Sequence, residues 1–253
     1  MILERILERK RGEVAALRAP RRSLADAIAS PGLAVIAEIK RASPSRGVIR
    51  ADGDPASWLR RYESGGAAAV SVVTDGPFFG GDGEMLRRLA PISSVPLLRK
   101  DFIIDPLQIF ESFFLGADAV LLIAAALEGE ALPRMISQAK ELGMEALVEV
   151  HDEAELERVL ETEALLVGIN NRDLTSFEVD LRTTERLVAH LDRREPGSRR
   201  LVVAESGVKN ASDAHFLREC GADAILVGEA LMRSEAPEAL VAALRGSPAS
   251  RTA

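Results

Sequence analysis

A single cysteine, Cys220, in 253 residues leaves no partner for an internal disulfide and rules out a cysteine-built metal site. The three histidines, His151, His190 and His215, are too far apart to suggest a ligand cluster, so all three are read as structural or surface residues and no metal is expected. No apolar run can cross a bilayer: the longest, residues 119–127, reaches about half of the roughly 20 residues required. The opening Met1-Ile-Leu-Glu-Arg runs into Glu8-Arg9-Lys10-Arg11 before any secretory apolar core could form, so a cytoplasmic location is expected, with no membrane partner. Basic residues are the minority, 32 against 39 acidic for a net charge of −7. Such a balance argues against the broad positive footprint of nucleic-acid binding and leaves room only for a local anion pocket. Whether the chain has protein partners is not legible.

What is present is an alternation. Short apolar, β-branched runs recur at 34–40, 68–74, 96–100, 119–123, 146–150, 165–170, 201–205 and 224–228. Between them lie stretches with helical periodicity, such as 128–142, 152–161 and 180–191. Two of the runs are near copies, GADAVLLI at 116–123 and GADAILVG at 221–228, and GGAAAVSV at 65–72 is a looser third, the footprint of a repeated strand–helix unit. No Gly-x-Gly-x-x-Gly turn follows the first strand, which disfavours a doubly wound dinucleotide fold. No Gly/Ser-rich or Pro-rich linker divides the chain. The expected architecture is therefore α/β, a (β/α)8 TIM barrel forming one domain over residues 1–253, with residues 1–32 as an N-terminal helical extension. Within it, apolar Ile2, Leu3, Ile6, Leu7, Val14 and Leu17 mark an amphipathic helix over 2–17, expected to pack against the barrel.

In such a barrel the chemistry sits at the C-terminal ends of the strands. Those ends are strongly polar here. Strand one closes with Glu38 and Lys40, which the two-residue period places on one face. Strand three closes with Lys100 and Asp101, strand five carries Glu149, strand six ends in Asn170, Asn171 and Arg172, and strand seven in Glu205 and Ser206. Ionisable groups in a desolvated mouth persist only when paired, and mixed-charge clusters of this kind suit general acid–base work. Ser206-Gly207 and Gly228-Glu229 follow strands seven and eight, where barrels commonly hold a phosphate on backbone N–H groups, so a phosphorylated small-molecule substrate is expected. Aromatics make up only 4% of the chain, and Phe79, Phe102 and Phe177 fall in loops at the mouth, suited to a ring-bearing substrate. Phe110, Phe113 and Phe114, at helical spacing, are read as core.

The segments IAEIKRASPSRG at 36–47, LRKDFIID at 98–105, GINNRDL at 168–174 and AESGV at 204–208 together resemble indole-3-glycerol-phosphate synthase, over nearly the whole chain. The resemblance implies a cofactor-independent carboxy-lyase of tryptophan biosynthesis. Its substrate would be 1-(2-carboxyphenylamino)-1-deoxyribulose 5-phosphate, cyclised with loss of carbon dioxide and water. Residue by residue, it implies catalytic roles for Glu38, Lys40, Lys100, Glu149, Asn170, Arg172, Glu205 and Ser206. Lys40, Ser206, Gly207, Gly228 and Glu229 would hold the phosphate, and Ser43, Pro44, Phe79, Phe102, Leu121 and Leu174 the aromatic ring. Some relatives carry serine where this chain has Glu229, so only the backbone N–H of Glu229 is expected to face the anion. The resemblance also implies that the N-terminal extension helps to cover the mouth as a lid; the alternative is a helix that plugs the bottom of the barrel. Two rival readings stand beside this one: an isomerase of an aminated ribose phosphate, and a catalytically silent barrel kept for binding a phosphorylated metabolite or a partner.

Overall fold

The structure, a computed structural model, describes residues 2–246 apart from 18–19, 31, 45–46, 51–52 and 174. Eight parallel strands close into a barrel, each hydrogen-bonded to the next and the last to the first. They are β1 (Ala34–Ile39), β2 (Ala69–Val73), β3 (Leu97–Lys100), β4 (Ala119–Ile123), β5 (Glu145–Val150), β6 (Leu166–Asn170), β7 (Leu201–Glu205) and β8 (Ala224–Val227). All eight runs read from the sequence are strands, with ends shifted by at most a residue. The helices of the repeat lie outside: α3 (Pro55–Ser64), α4 (Gly83–Leu89), α5 (Pro106–Leu115), α6 (Ala131–Glu141), α7 (Glu153–Leu160), α8 (Arg182–Arg194), α9 (Ala211–Glu219) and α11 (Pro237–Arg245), with a short α10 (Glu229–Arg233) directly after β8.

Strand alternation sorts the core into two regions. Val35, Ala37 and Ile39 of β1, with Val70, Val72, Val120, Leu122, Val148 and Val150, face the helices. Ile36, Leu98, Leu121, Leu147, Leu166, Val203 and Leu226 fill the barrel itself. The same parity carries Glu38, Lys100, Glu149, Asn170 and Glu205 into the interior, one step above that apolar layer. The repeated Gly-Ala-Asp has a definite task. Asp118 accepts the backbone N–H of Leu97 at 2.8 Å, and Asp223 accepts that of Val202 at 2.7 Å. Each thereby ties the start of its own strand to the strand before it.

The N-terminal segment departs from expectation. Helix α1 (Ile2–Leu17) forms as predicted, yet its described apolar side chains, Ile2, Leu3, Ile6, Leu7 and Val14, are all exposed rather than packed on the barrel. The contact with the barrel is made instead by α2 (Leu24–Ile28), whose Leu24, Ala25 and Ile28 are buried among the interior side chains. Glu145, at the start of β5, accepts the N–H of Leu24 and of Ala25 at 2.6 and 2.9 Å and the Ser23 hydroxyl at 2.8 Å. Arg22 reaches Asp118, just before β4, with its backbone N–H at 3.0 Å and its Nε at 2.8 Å. Both acceptors sit at strand starts, so this segment plugs the bottom of the barrel. Periodicity announced an apolar face on α1 but could not say what would cover it. A second correction concerns α5: Phe110 and Phe114 are exposed, and only Phe113 of the three is partly covered, beneath the Arg21 guanidinium.

Candidate active site

At the opposite end, the strand termini surround a cavity of about 650 Å³. Every site residue read from the sequence lines it except Leu174, which lies outside the described residues. Ser43 and Pro44 arrive on a small hairpin after β1, in which Ala42–Ser43 pairs antiparallel with Gly47–Val48. Phe79 and Phe102 approach each other with ring centroids 6.0 Å apart, tilted by 40°, giving the rim an apolar wall.

The floor is ionic. Lys100 Nζ lies 3.0 Å from Glu149 Oε2 and 3.0 Å from Glu205 Oε2, while Lys40 Nζ lies 2.6 Å from Glu38 Oε1. Glu38, Glu149 and Glu205 are buried. Asn170 Nδ2 donates to Glu149 Oε1 at 3.1 Å, and the carbonyl of Asn170 accepts the backbone N–H of Arg172 at 3.0 Å through its side-chain oxygen. Two glycines make room for these carboxylates. A Cβ on Gly168 would stand 2.3 Å from Glu205 Oε1, and one on Gly228 would stand 2.3 Å from Glu38 Oε1. Gly228 therefore makes room for the strand-one pair.

Two lysine ammoniums therefore stand among three buried carboxylates. Burial alone would push the Lys100 ammonium down, but Glu149, Glu205 and Glu38 outweigh it and hold it above the ordinary lysine range. Burial would raise Glu149, yet Lys100, then His151 and Asn170, reverse this and hold it well below the usual carboxylate range. Glu205 is pushed up, by burial first and by Glu149 beside it, against the pull of Lys100. Among the described residues no donor reaches its Oε1. The two carboxyls are thus shifted in opposite directions, Glu149 towards the carboxylate and Glu205 towards the acid, an arrangement suited to acid–base chemistry at one centre.

The other side of the cavity is lined by backbone turns after β7 and β8. Ser206 adopts φ 65°, a left-handed conformation uncommon outside glycine, and Asn171 Nδ2 donates to the carbonyls of Glu205 at 3.0 Å and Ser206 at 3.3 Å. Gly207 follows at φ 95°. Gly228 precedes α10, and the Glu229 carboxylate turns to Arg233 at 3.2 Å, along the helix. Sequence reading missed four residues here. Asp75, Lys209 and Arg233 line the cavity, and His151, read as structural, stands behind Glu149. Lys209 and Arg233 were findable as cations three and four residues beyond Ser206 and Glu229. No described residue before Glu38 lines the cavity, and α2 sits at the far end, as the plug alternative expects.

A profile of the family described as Indole-3-glycerol phosphate synthase matches residues 3–244. The Indole-3-glycerol phosphate synthase of Petrotoga mobilis is 47% identical over 239 residues, 94% of each chain. That of Rhodopirellula baltica is 51% identical over 199 residues, 79% of this chain and 75% of its own. Among solved structures, a thiamine phosphate pyrophosphorylase from Pyrococcus furiosus superposes with a TM-score of 0.60 over 88% of this chain and 96% of its own, at 19% identity, a likeness of fold alone.

Proposed function

The chain belongs to the indole-3-glycerol phosphate synthase family, carboxy-lyases of tryptophan biosynthesis, and from that premise we propose how its residues divide the reaction. The substrate, 1-(2-carboxyphenylamino)-1-deoxyribulose 5-phosphate, lies with its ring against Phe79, Phe102, Pro44 and Leu121. Its phosphate lies against the backbone of Ser206-Gly207 and Gly228-Glu229, with Lys40, Lys209 and Arg233 supplying positive charge. Holding both ends brings the ring carbon that bears the carboxylate against the ketone, which can contribute several kcal/mol to ring closure.

Lys100 donates its proton to the ketone oxygen as the new carbon–carbon bond forms. The bond to the carboxylate then breaks, its electron pair returns to the ring, and carbon dioxide leaves. Departure of the hydroxyl as water needs an acid, and aromatisation of the new ring needs a base for the remaining proton. Lys40 and Glu149 are the pair for this step, Glu38 orients Lys40, Asn170 holds substrate hydroxyls, and Arg172 organises the polar rim. Every step moves a proton or releases a neutral molecule, so no cofactor is called for. The whole chain acts as one barrel domain with residues 1–32 as its extension, in the cytoplasm, without nucleic acid or membrane as a partner.

The observation that carries this reading is the Lys100 ammonium set between Glu149 and Glu205 beneath an aromatic rim. The test is incubation of purified protein with the carboxyphenylamino-deoxyribulose phosphate. Indole absorbance should rise with stoichiometric release of carbon dioxide. An isomerase or a silent barrel would release none.

A further inference from the structure

His151 follows the last residue of β5 and stands between two cavities. On its inner side, Nε2 lies 3.3 Å from Glu149 Oε1, the oxygen that also accepts from Asn170. On its outer side, Nδ1 lies 3.1 Å from Glu155 Oε2, which also accepts the backbone N–H of His151 at 2.8 Å. Glu155 is itself fixed in the first turn of α7, where its N–H donates to the capping Asp152 at 2.8 Å. The outer cavity, about 450 Å³, is lined by His151 and Glu155 and shares Asn170 and Arg172 with the active-site cavity. The imidazole is 14% exposed and Glu155 17%, so this is a mostly desolvated row of carboxylate, imidazole and carboxylate.

A carboxylate on each side favours the doubly protonated ring, and both ring nitrogens then act as donors. Burial alone would lower the imidazole's affinity for its proton; the Glu149 carboxylate 3.3 Å from Nε2 and the Glu155 carboxylate hydrogen-bonded to Nδ1 outweigh this and raise it to about 10. The charged groups around it are Glu149 on β5, Asp152 and Glu155 at the start of α7, and Arg172, Asp173, Glu178, Asp180 and Arg186 around the outer cavity. A cation held in this way pulls on Glu149 from the side opposite Lys100. Lys100 meets Oε2 of that carboxylate, and Asn170 meets Oε1, the oxygen beside the imidazole.

We propose that His151 is a positioning residue of the reaction, an imidazolium clamped by Glu155 that sets the orientation of the Glu149 carboxylate towards Lys100 and Asn170. The proposal rests on Glu149 taking part in the chemistry as read above. It does not touch the substrate itself, so its removal should act on turnover rather than on binding.

The test compares wild type with His151→Gln, His151→Leu, Glu155→Gln and Glu149→Gln, reading kcat and KM across pH, with melting temperatures alongside. His151→Gln keeps a donor but loses the charge, and kcat should fall about tenfold with KM within about twofold; His151→Leu should fall about a hundredfold. The acid limb of the kcat profile should move to higher pH in both, since Glu149 loses a countercharge. Glu155→Gln leaves the imidazole in place and should shift the same limb in the same direction by less, which keeps the proposal testable if a His151 variant fails to fold. Unchanged kcat and an unmoved acid limb in these variants, with Glu149→Gln inactive, would overturn the proposal alone. A loss of kcat that tracks melting temperature without moving the limb would reduce His151 to a structural part and also overturn it. Wild-type turnover in Glu149→Gln would remove the role assigned to Glu149 and this inference with it.

Discussion

Lys100 Nζ stands 3.0 Å from Glu149 Oε2, across the β4 strand that separates their own two strands in the barrel wall. The pair is the best-defined feature of the cavity floor. Replacing Lys100 with Ala should lower turnover by about 10²–10⁴, the range for loss of a general acid, while direct substrate binding falls far less. The variant should also melt lower, because removing one partner strands buried carboxylates without their cation. Near wild-type turnover would show that the ketone is protonated by another group.

Gly207 separates charge from strain in the phosphate contact. Its φ of 95° and the 2.6 Å and 2.9 Å that a Cβ would leave to Val179 and Leu181 mean that any side chain there disturbs the loop. Gly207→Ala should therefore raise KM by itself. Gly207→Asp should raise it by a further factor of about ten, or ~1.4 kcal/mol, and that extra factor should shrink as salt is added. Gly12→Asp, on α1 with nothing within 4 Å of the added atom, should leave KM unchanged. Equal losses for Gly207→Ala and Gly207→Asp would argue against an anion at this place.

The plug and the exposed helix make opposite predictions. Leu24 is fully buried against the barrel interior, so Leu24→Ala should cost about 2–5 kcal/mol in chemical denaturation. Deleting residues 1–17 removes a helix whose described apolar side chains face solvent, and melting temperature, KM and kcat should all stay close to wild type. A marked rise in KM for that deletion, in protein with an intact circular dichroism spectrum, would restore a lid role to α1.

His151 also gives stability a pH dependence with a defined sign. The folded imidazole holds its proton to about 10 against an ordinary 6.5, so folding strengthens proton binding. That contribution is fully present below about 6.5 and is lost as the pH rises through about 10. Denaturation of wild type and His151→Gln across this window should show the gap between them narrowing towards alkaline pH. A gap that stays constant would mean that the ring is neutral in the folded protein.

Much of the site was legible because a barrel strand obeys a period of two and ends at the active-site face. Glu38, Lys100, Glu149, Asn170 and Glu205 could be placed at the mouth from their positions in the runs. His151 was not legible. It sits two residues past Glu149 and one past the end of β5, where parity no longer sets direction, and its neighbour Glu155 arrives from the following helix. Arg233, by contrast, was within reach of the sequence as a cation four residues beyond Glu229, and it reaches the cavity from α10. The exposed Phe110 and Phe114 show the converse limit, since helical spacing cannot say which face of α5 meets the barrel.

The sequence by itself determined the repeating unit, the order of strands, the side of each strand that turns inward and the family. These depend on local periodicity and on motifs read along one stretch of chain. Only the tertiary structure decided that three buried carboxylates share two lysines, that Glu145 and Asp118 fasten α2 to the bottom of the barrel, and that α1 remains uncovered. Each of these joins residues from distant parts of the chain. Burial, charge balance and hydrogen bonding are properties of the closed barrel, since each depends on which groups closure brings together.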